Sequence, residues 1–217
     1  MRIIKKTIIL GMLALSITAC KSESPIVAWK DGIVPYYLTG DFTDQEIQSI
    51  KTGMERWEQT SDVHFQEVSP RARAYNIIRI HETRWSSSIG ENNSVCYMNF
   101  GDGGSALGHI THELGHALGL LHEHQRPDRD QFITIFWNAI IPKYLHNFEI
   151  RDNPLIEEEN HDYDYQSIMH YPAKSFGINQ SITMASESPD NPINRLDVIT
   201  EKDSAKVVEI YGPPKDE

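Results

Sequence analysis

The run GHITHELGHALGLLHEHQRPDRD, residues 108–130, constrains this chain more than any other stretch. Five histidines, His109, His112, His116, His122 and His124, fall within it. A helix turns only one face towards any one point, so they cannot all serve the same ion. Residues four apart lie one turn apart on a helix, so His112 and His116 can grip a single metal between them. Glu113 stands about 100° round from His112. From the edge of that face it reaches a water on the metal without binding the metal. Gly119, three residues past His116, suits the left-handed conformation that ends a helix. His122 then swings back as a third ligand from outside the helix. Three imidazoles leave one coordination position open, and an open position separates a catalytic zinc from a structural one.

The other two histidines fit less well. His109 stands where the helix starts, and a fourth imidazole would close the open position. His124, two residues past His122, is expected to point elsewhere. A second element follows 47 residues after His122: Ser167-Ile168-Met169-His170-Tyr171, with a methionine placed to form a turn under the metal. The order HExxHxxGxxH then Met-turn is the metzincin arrangement.

Residues 112–126 read HELGHALGLLHEHQR and, with SIMHY at 167–171, resemble the astacin family of zinc endopeptidases. That family's pattern is HExxHxxGxxHExxR followed by SxMHY. The runs RPDRD at 126–130, FITIFWNAI at 132–140 and YDYQSIMHY at 163–171 share the likeness, as do IVPYYL near the start and Asp203 to Tyr211. It spans roughly residues 27–212.

The resemblance implies an α+β, metzincin-type fold of two lobes. Its N-terminal lobe would be a twisted sheet with two helices, the active-site helix last. Its C-terminal lobe would be irregular, with the Met-turn and a final helix. His112, His116 and His122 would bind one zinc ion, and Glu113 would be the general base. Met169 would form a hydrophobic floor below the metal. Tyr171 would be a switchable fifth ligand whose hydroxyl moves to stabilise an oxyanion. Glu123 would support the site through the family's buried contact with the mature N-terminus. The partner would be a protein or peptide substrate. The reaction follows from zinc chemistry as well: zinc acidifies water, and a carboxylate moves its proton. A catalytically inactive zinc-containing binding protein or adhesin is the rival reading, and a zinc amidase acting on peptidoglycan cross-links a weaker one.

Residues 1–19 read as an export signal, with MRIIKK as its basic start and an apolar stretch too short to span a bilayer. Ile17-Thr18-Ala19-Cys20 resembles a bacterial lipobox, so Cys20 is expected to carry lipid, with 20–26 as a tether. The catalytic domain would be 27–217, its lobes meeting near residue 119. The protein would be an exported, membrane-anchored lipoprotein, periplasmic or on the cell surface, or secreted if the tether is cleaved; the sequence does not fix its oligomeric state, with a monomer favoured. Three of the 20 basic residues (Arg2, Lys5 and Lys6) lie in the signal, so the remainder carries −14 against −11 for the whole chain. That acidity argues against nucleic acid and anionic lipid as partners.

Departures from the family pattern are informative. Cys20 and Cys96 are the only cysteines, so no pair of disulfides braces the fold, and Cys96 reads as a buried free thiol. No long pro-segment separates Cys20 from the domain. An acylated Cys20 cannot offer a free ammonium to Glu123, so Glu123 needs another partner, such as a backbone amide or a nearby cation, and activity should need no trimming.

Periodicity supplies the elements. Strands are expected at 33–38, 63–68, 75–80 and 94–100, with a turn at 101–104. A capping box at Thr43–Glu46 opens a helix whose Ile47, Ile50, Met54 and Trp57 share a face. Residues 137–146 are expected to be helical, 153–164 a solvated acidic loop, and 200–211 a last helix capped by Thr200. His64, His81, His146, His161 and His170 are expected to be structural or surface residues. The strand at 75–80 or the run 86–90 would offer an edge to an extended peptide.

Overall fold

In the computed structural model the described residues are 26–70, 74–79, 85–91, 96–101 and 107–215. The signal segment, Cys20, most of the tether, His81 and most of the turn at 101–104 fall outside them. Strand β1 (Ile33–Thr39) alternates as its sequence demands, with Val34 and Tyr36 buried on the core side. Thr43 then caps helix α1 (Asp44–Glu58) through a complete capping box: Glu46 N–H donates to the Thr43 hydroxyl, and Thr43 N–H donates to the Glu46 carboxylate. Ile50, Met54 and Trp57 are buried on one face of that helix.

α1 is the crossover that lets β1 pair in parallel with β2 (His64–Glu67). β3 (Tyr75–Arg79), β4 (Ser86–Ser87) and β5 (Tyr97–Phe100) complete a sheet in the order β2-β1-β3-β5-β4. All its pairings are parallel except that of β4 with β5. β1 runs one residue past its expected span and β2 is shorter than its own, and β3 is interior. The strand at 75–80 therefore offers no edge, and the edge beside the ligand helix falls to β4.

The ligand helix α2 (Leu107–Ala117) packs across α1. Gly53 permits the approach, since a Cβ there would lie 2.8 Å from Ile110 Cγ2. Trp57 Nε1 donates to Thr111 O at 2.9 Å and fixes the crossing.

Past Gly119 the chain folds into short turns. β6 (Ile133–Ile135) and β7 (Met184–Ser186) pair antiparallel over a second apolar cluster that holds Ile140, Phe148 and Tyr163. The expected helix at 137–146 is instead two 3-10 pieces, Trp137–Ala139 and Pro142–Phe148. Ile140 bridges to Gly177 and Ile141 N–H donates to Phe176 O, which draws the backbone out of the helix. The last helix, α3 (Glu201–Tyr211), starts at the Thr200 capping box as expected. Its Val207 returns to the first core, which also holds Leu118 and Met169. Among the described residues no helix is long and apolar enough to cross a membrane.

Candidate active site

The end of α2 is a Schellman turn. Leu120 N–H donates to Gly115 O and Gly119 N–H to His116 O, with Gly119 at φ +102°. A side chain at Gly119 would be strained there and would press on Leu155. This turn sends the chain back over the helix, and it brings His122 against His112 and His116. One nitrogen of each ring lies within 4.8 Å of the others.

Hydrogen bonds settle which nitrogen each ring turns inward. His112 Nδ1 lies 2.7 Å from Ile168 O, and His116 Nδ1 lies 2.8 Å from Leu120 O. Carbonyls only accept, so both rings donate from Nδ1 and keep a lone pair on Nε2. His122 Nδ1 lies 3.1 Å from Gln125 Oε1. The Gln125 amide is oriented by its own N–H, which donates to Asn147 O. His122 is therefore the same tautomer. Two lone pairs now face each other, His116 Nε2 and His122 Nε2, only 3.1 Å apart. Acceptors held that close repel one another unless a cation lies between them. Burial also keeps all three rings neutral: His116 is pushed down to about 4, and His112 and His122 well below the usual imidazole range. Neutral imidazoles oriented by carbonyls suit a zinc ion.

Glu113 is 5% exposed, and its Oε2 finds no hydrogen-bond partner among the described residues. Burial raises its carboxyl to about 8, opposed by the positive charge of Arg195. Tyr171 lies over His122 with ring centres 4.3 Å apart. Burial holds its hydroxyl above the ordinary phenol range, so it remains a proton donor at neutral pH. Met169 packs under α2, where a Cβ on Gly115 would lie 2.7 Å from its Sδ. Gly115→Ala should therefore push the Met-turn from the ligand helix. It should cost about 1–3 kcal/mol, a melting drop of roughly 2–4 °C per kcal/mol, read by calorimetry.

Two residues matter more than their sequence context implied. His124 does turn away from the ligands, donating from Nε2 to Asn147 O, yet its ring stacks on Tyr171 with centres 4.2 Å apart. Arg195 places a largely buried charge near Glu113, its Nε without a hydrogen-bond partner among the described residues. It comes from a stretch rich in proline and asparagine that shows no periodicity. His109 stacks on Trp85 and joins no ligand set among the described residues.

The loop expected to be solvated, 153–164, is partly internal. It buries Asn153, Glu158, Tyr163 and Asp164. Glu158 joins Glu123, Arg126 and Lys206 in a buried ion cluster. Cys96 is buried in the first core, as expected, with its thiol directed at Gly90 O.

The sequence profile described as Astacin (Peptidase family M12A) matches residues 21–212. The chain belongs to the astacin family. Curated astacin-like relatives include the zinc metalloproteinase nas-15 of Caenorhabditis elegans, 32% identical over 187 residues, 86% of this chain and 32% of that protein. Meprin A subunit alpha of Rattus norvegicus is 33% identical over 181 residues, 83% of this chain and 24% of that protein. The chain thus spans about a quarter to a third of the length of these relatives. Among solved structures, high choriolytic enzyme 1, a hatching enzyme zinc-protease from Oryzias latipes, superposes with a TM-score of 0.75 at 26% identity. That match covers 88% of this chain and 96% of the hatching enzyme. The α+β metzincin architecture is therefore that of the astacins, and the His112, His116 and His122 triad is able to hold the family's zinc.

Proposed function

We propose that this astacin-family chain hydrolyses internal peptide bonds of protein or peptide substrates, with His112, His116 and His122 holding one zinc ion. The observation that carries this reading is the buried, unpartnered Glu113 oxygen beside three imidazoles that turn their lone pairs inward. A bound zinc ion supplies Lewis acidity, acidifying water and polarising a carbonyl. Glu113 takes the proton of the attacking water and returns it to the nitrogen of the leaving amine as the C–N bond breaks. The Tyr171 hydroxyl donates to the carbonyl oxygen as negative charge builds there. His124, stacked beneath Tyr171, holds that ring in place. An extended substrate pairs with the free edge of β4. A zinc-containing binding protein would gain nothing from an orphaned buried carboxylate, which costs stability. Digestion of casein by the zinc-loaded chain tests the reading. No cleavage, or cleavage unchanged by a chelator, would overturn it.

We assign residues 1–19 to export and Cys20 to lipid attachment, which would tether the domain to a membrane. Glu123 has an internal counter-charge in Lys206 and Arg126, so activity should need no cut before Val27. The full chain and a chain cut before Val27 should show the same kcat/KM on a soluble peptide. A cut that switched activity on would refute this.

A further inference from the structure

We infer that Lys206, on the last helix, is a positioning residue for the metal site, acting on His122 through Glu123. The inference rests on the reading of His112, His116 and His122 as zinc ligands. His112 and His116 ride on α2, and the helix itself sets their spacing. His122 has no such support. It precedes a single 3-10 turn, Glu123–Gln125, closed by only two backbone hydrogen bonds. Its position depends on what grips the turn from outside.

His124 and Gln125 are held by Asn147 O, Arg129 and Arg151 N–H, and the ionic grip is on Glu123. Its N–H donates to Met169 O, and its carboxylate is almost wholly buried. Oε1 accepts from Arg126 Nη1 at 3.0 Å and from Asp164 N–H at 2.9 Å. Oε2 accepts from Lys206 Nζ at 2.5 Å, across 83 residues of chain. Lys206 is 5% exposed, and lysine is almost never buried without a partner. It also stands 3.0 Å from Glu158 Oε2, an ion pair off the line of a hydrogen bond. Arg126 cannot take its place. Its guanidinium is committed to Glu123, to both oxygens of Asp128 and to the carbonyls of Glu158 and His161. Without Lys206, three carboxylates (Glu123, Asp128 and Glu158) would share one cation.

The same face of α3 reaches the other end of the ligand set. Asp203, one turn before Lys206, accepts from Ser167 Oγ at 2.5 Å and from Ile168 N–H at 3.0 Å. The carbonyl of Ile168 then orients His112. Two buried charges three residues apart on one helix thus hold His112 from one side and His122 from the other.

The test is metal binding by the full chain, measured by competition with a chromophoric chelator for zinc, and by the visible spectrum of the cobalt(II) form. Lys206→Met should weaken zinc binding about 10–100-fold, the usual cost of losing a group that supports a ligand, and should alter the cobalt bands. The double variant Lys206→Met/Glu123→Gln removes both partners without leaving a buried unpaired charge. It decides the matter if the single variant does not fold, and it should weaken zinc binding similarly. A lysine with a merely structural role would lower the melting temperature and leave metal affinity alone. Zinc affinity within about twofold of wild type, with unchanged cobalt bands, in a folded variant would overturn the inference. Failure of the ligand assignment would show differently, as His122→Ala binding zinc as tightly as wild type, and would overturn both.

Discussion

Glu113→Gln lowers kcat about 10²–10⁴-fold, the range lost with a general base, or about 3–5 kcal/mol of barrier. The amide keeps the shape of the carboxylate and cannot accept the proton of water. Zinc content stays at one per chain, because the three imidazoles are oriented by Ile168 O, Leu120 O and Gln125, not by Glu113. KM changes little. A fluorogenic peptide assay beside a zinc determination separates the two effects. Equal turnover by variant and wild type would remove Glu113 from the reaction.

The same substitution has an opposite effect on the metal-free protein. Burial raises the Glu113 carboxyl from its ordinary 4.5 to about 8, so the folded state prefers the protonated form. The stability this lends is present below pH 4.5 and is lost as pH rises through 8. Metal-free wild type should therefore melt progressively lower than metal-free Glu113→Gln between pH 5 and 8. A carboxyl raised in this way suits the proposed role of Glu113 as a base. A gap that did not widen with pH would show that the carboxyl titrates in its ordinary range.

Much of this arrangement is legible along the chain, and the boundary follows from the range of the interactions. His112, His116 and Gly119 are set by helical period and one turn, so their spacing reveals them. The Met-turn is a short contiguous motif. The capping boxes at Thr43 and Thr200 span four residues and stand where the sequence puts them. Lys206 belongs to the site only because α3 returns beside Glu123, and no local period records a pairing across 83 residues. Glu158 was hidden in the same way, inside an acidic run that reads as solvated. Edge and centre of a sheet are likewise non-local: which of β3 and β4 lies at the edge is decided by strand order. The segment 137–146 carries Pro142, which starts a new piece and cannot continue a helix, and the bridge from Ile140 to Gly177 breaks it further.

His116→Ala should abolish the stabilisation that zinc brings. Zinc at a thousandfold excess over its Kd adds about 4 kcal/mol to the folded state, on the order of 10 °C in melting temperature for a chain of this size. A chelator should remove that shift together with peptide cleavage, and added zinc should restore both. The variant should show neither at zinc levels that saturate wild type, because His116 is the ring set edge-on to both of the others and its loss leaves two imidazoles. Protons oppose the metal with a definite sign. Burial depresses His116 from 6.5 to about 4 in the metal-free protein, so the stability linked to its neutral form is present above 6.5 and is lost as pH falls through 4. The zinc-induced shift should accordingly persist at pH 5.5, where an ordinary imidazole is mostly protonated, and should vanish towards pH 4. A shift already lost at pH 6 would mean that the three rings are open to water, and a buried, pre-oriented site could not be the one that binds zinc.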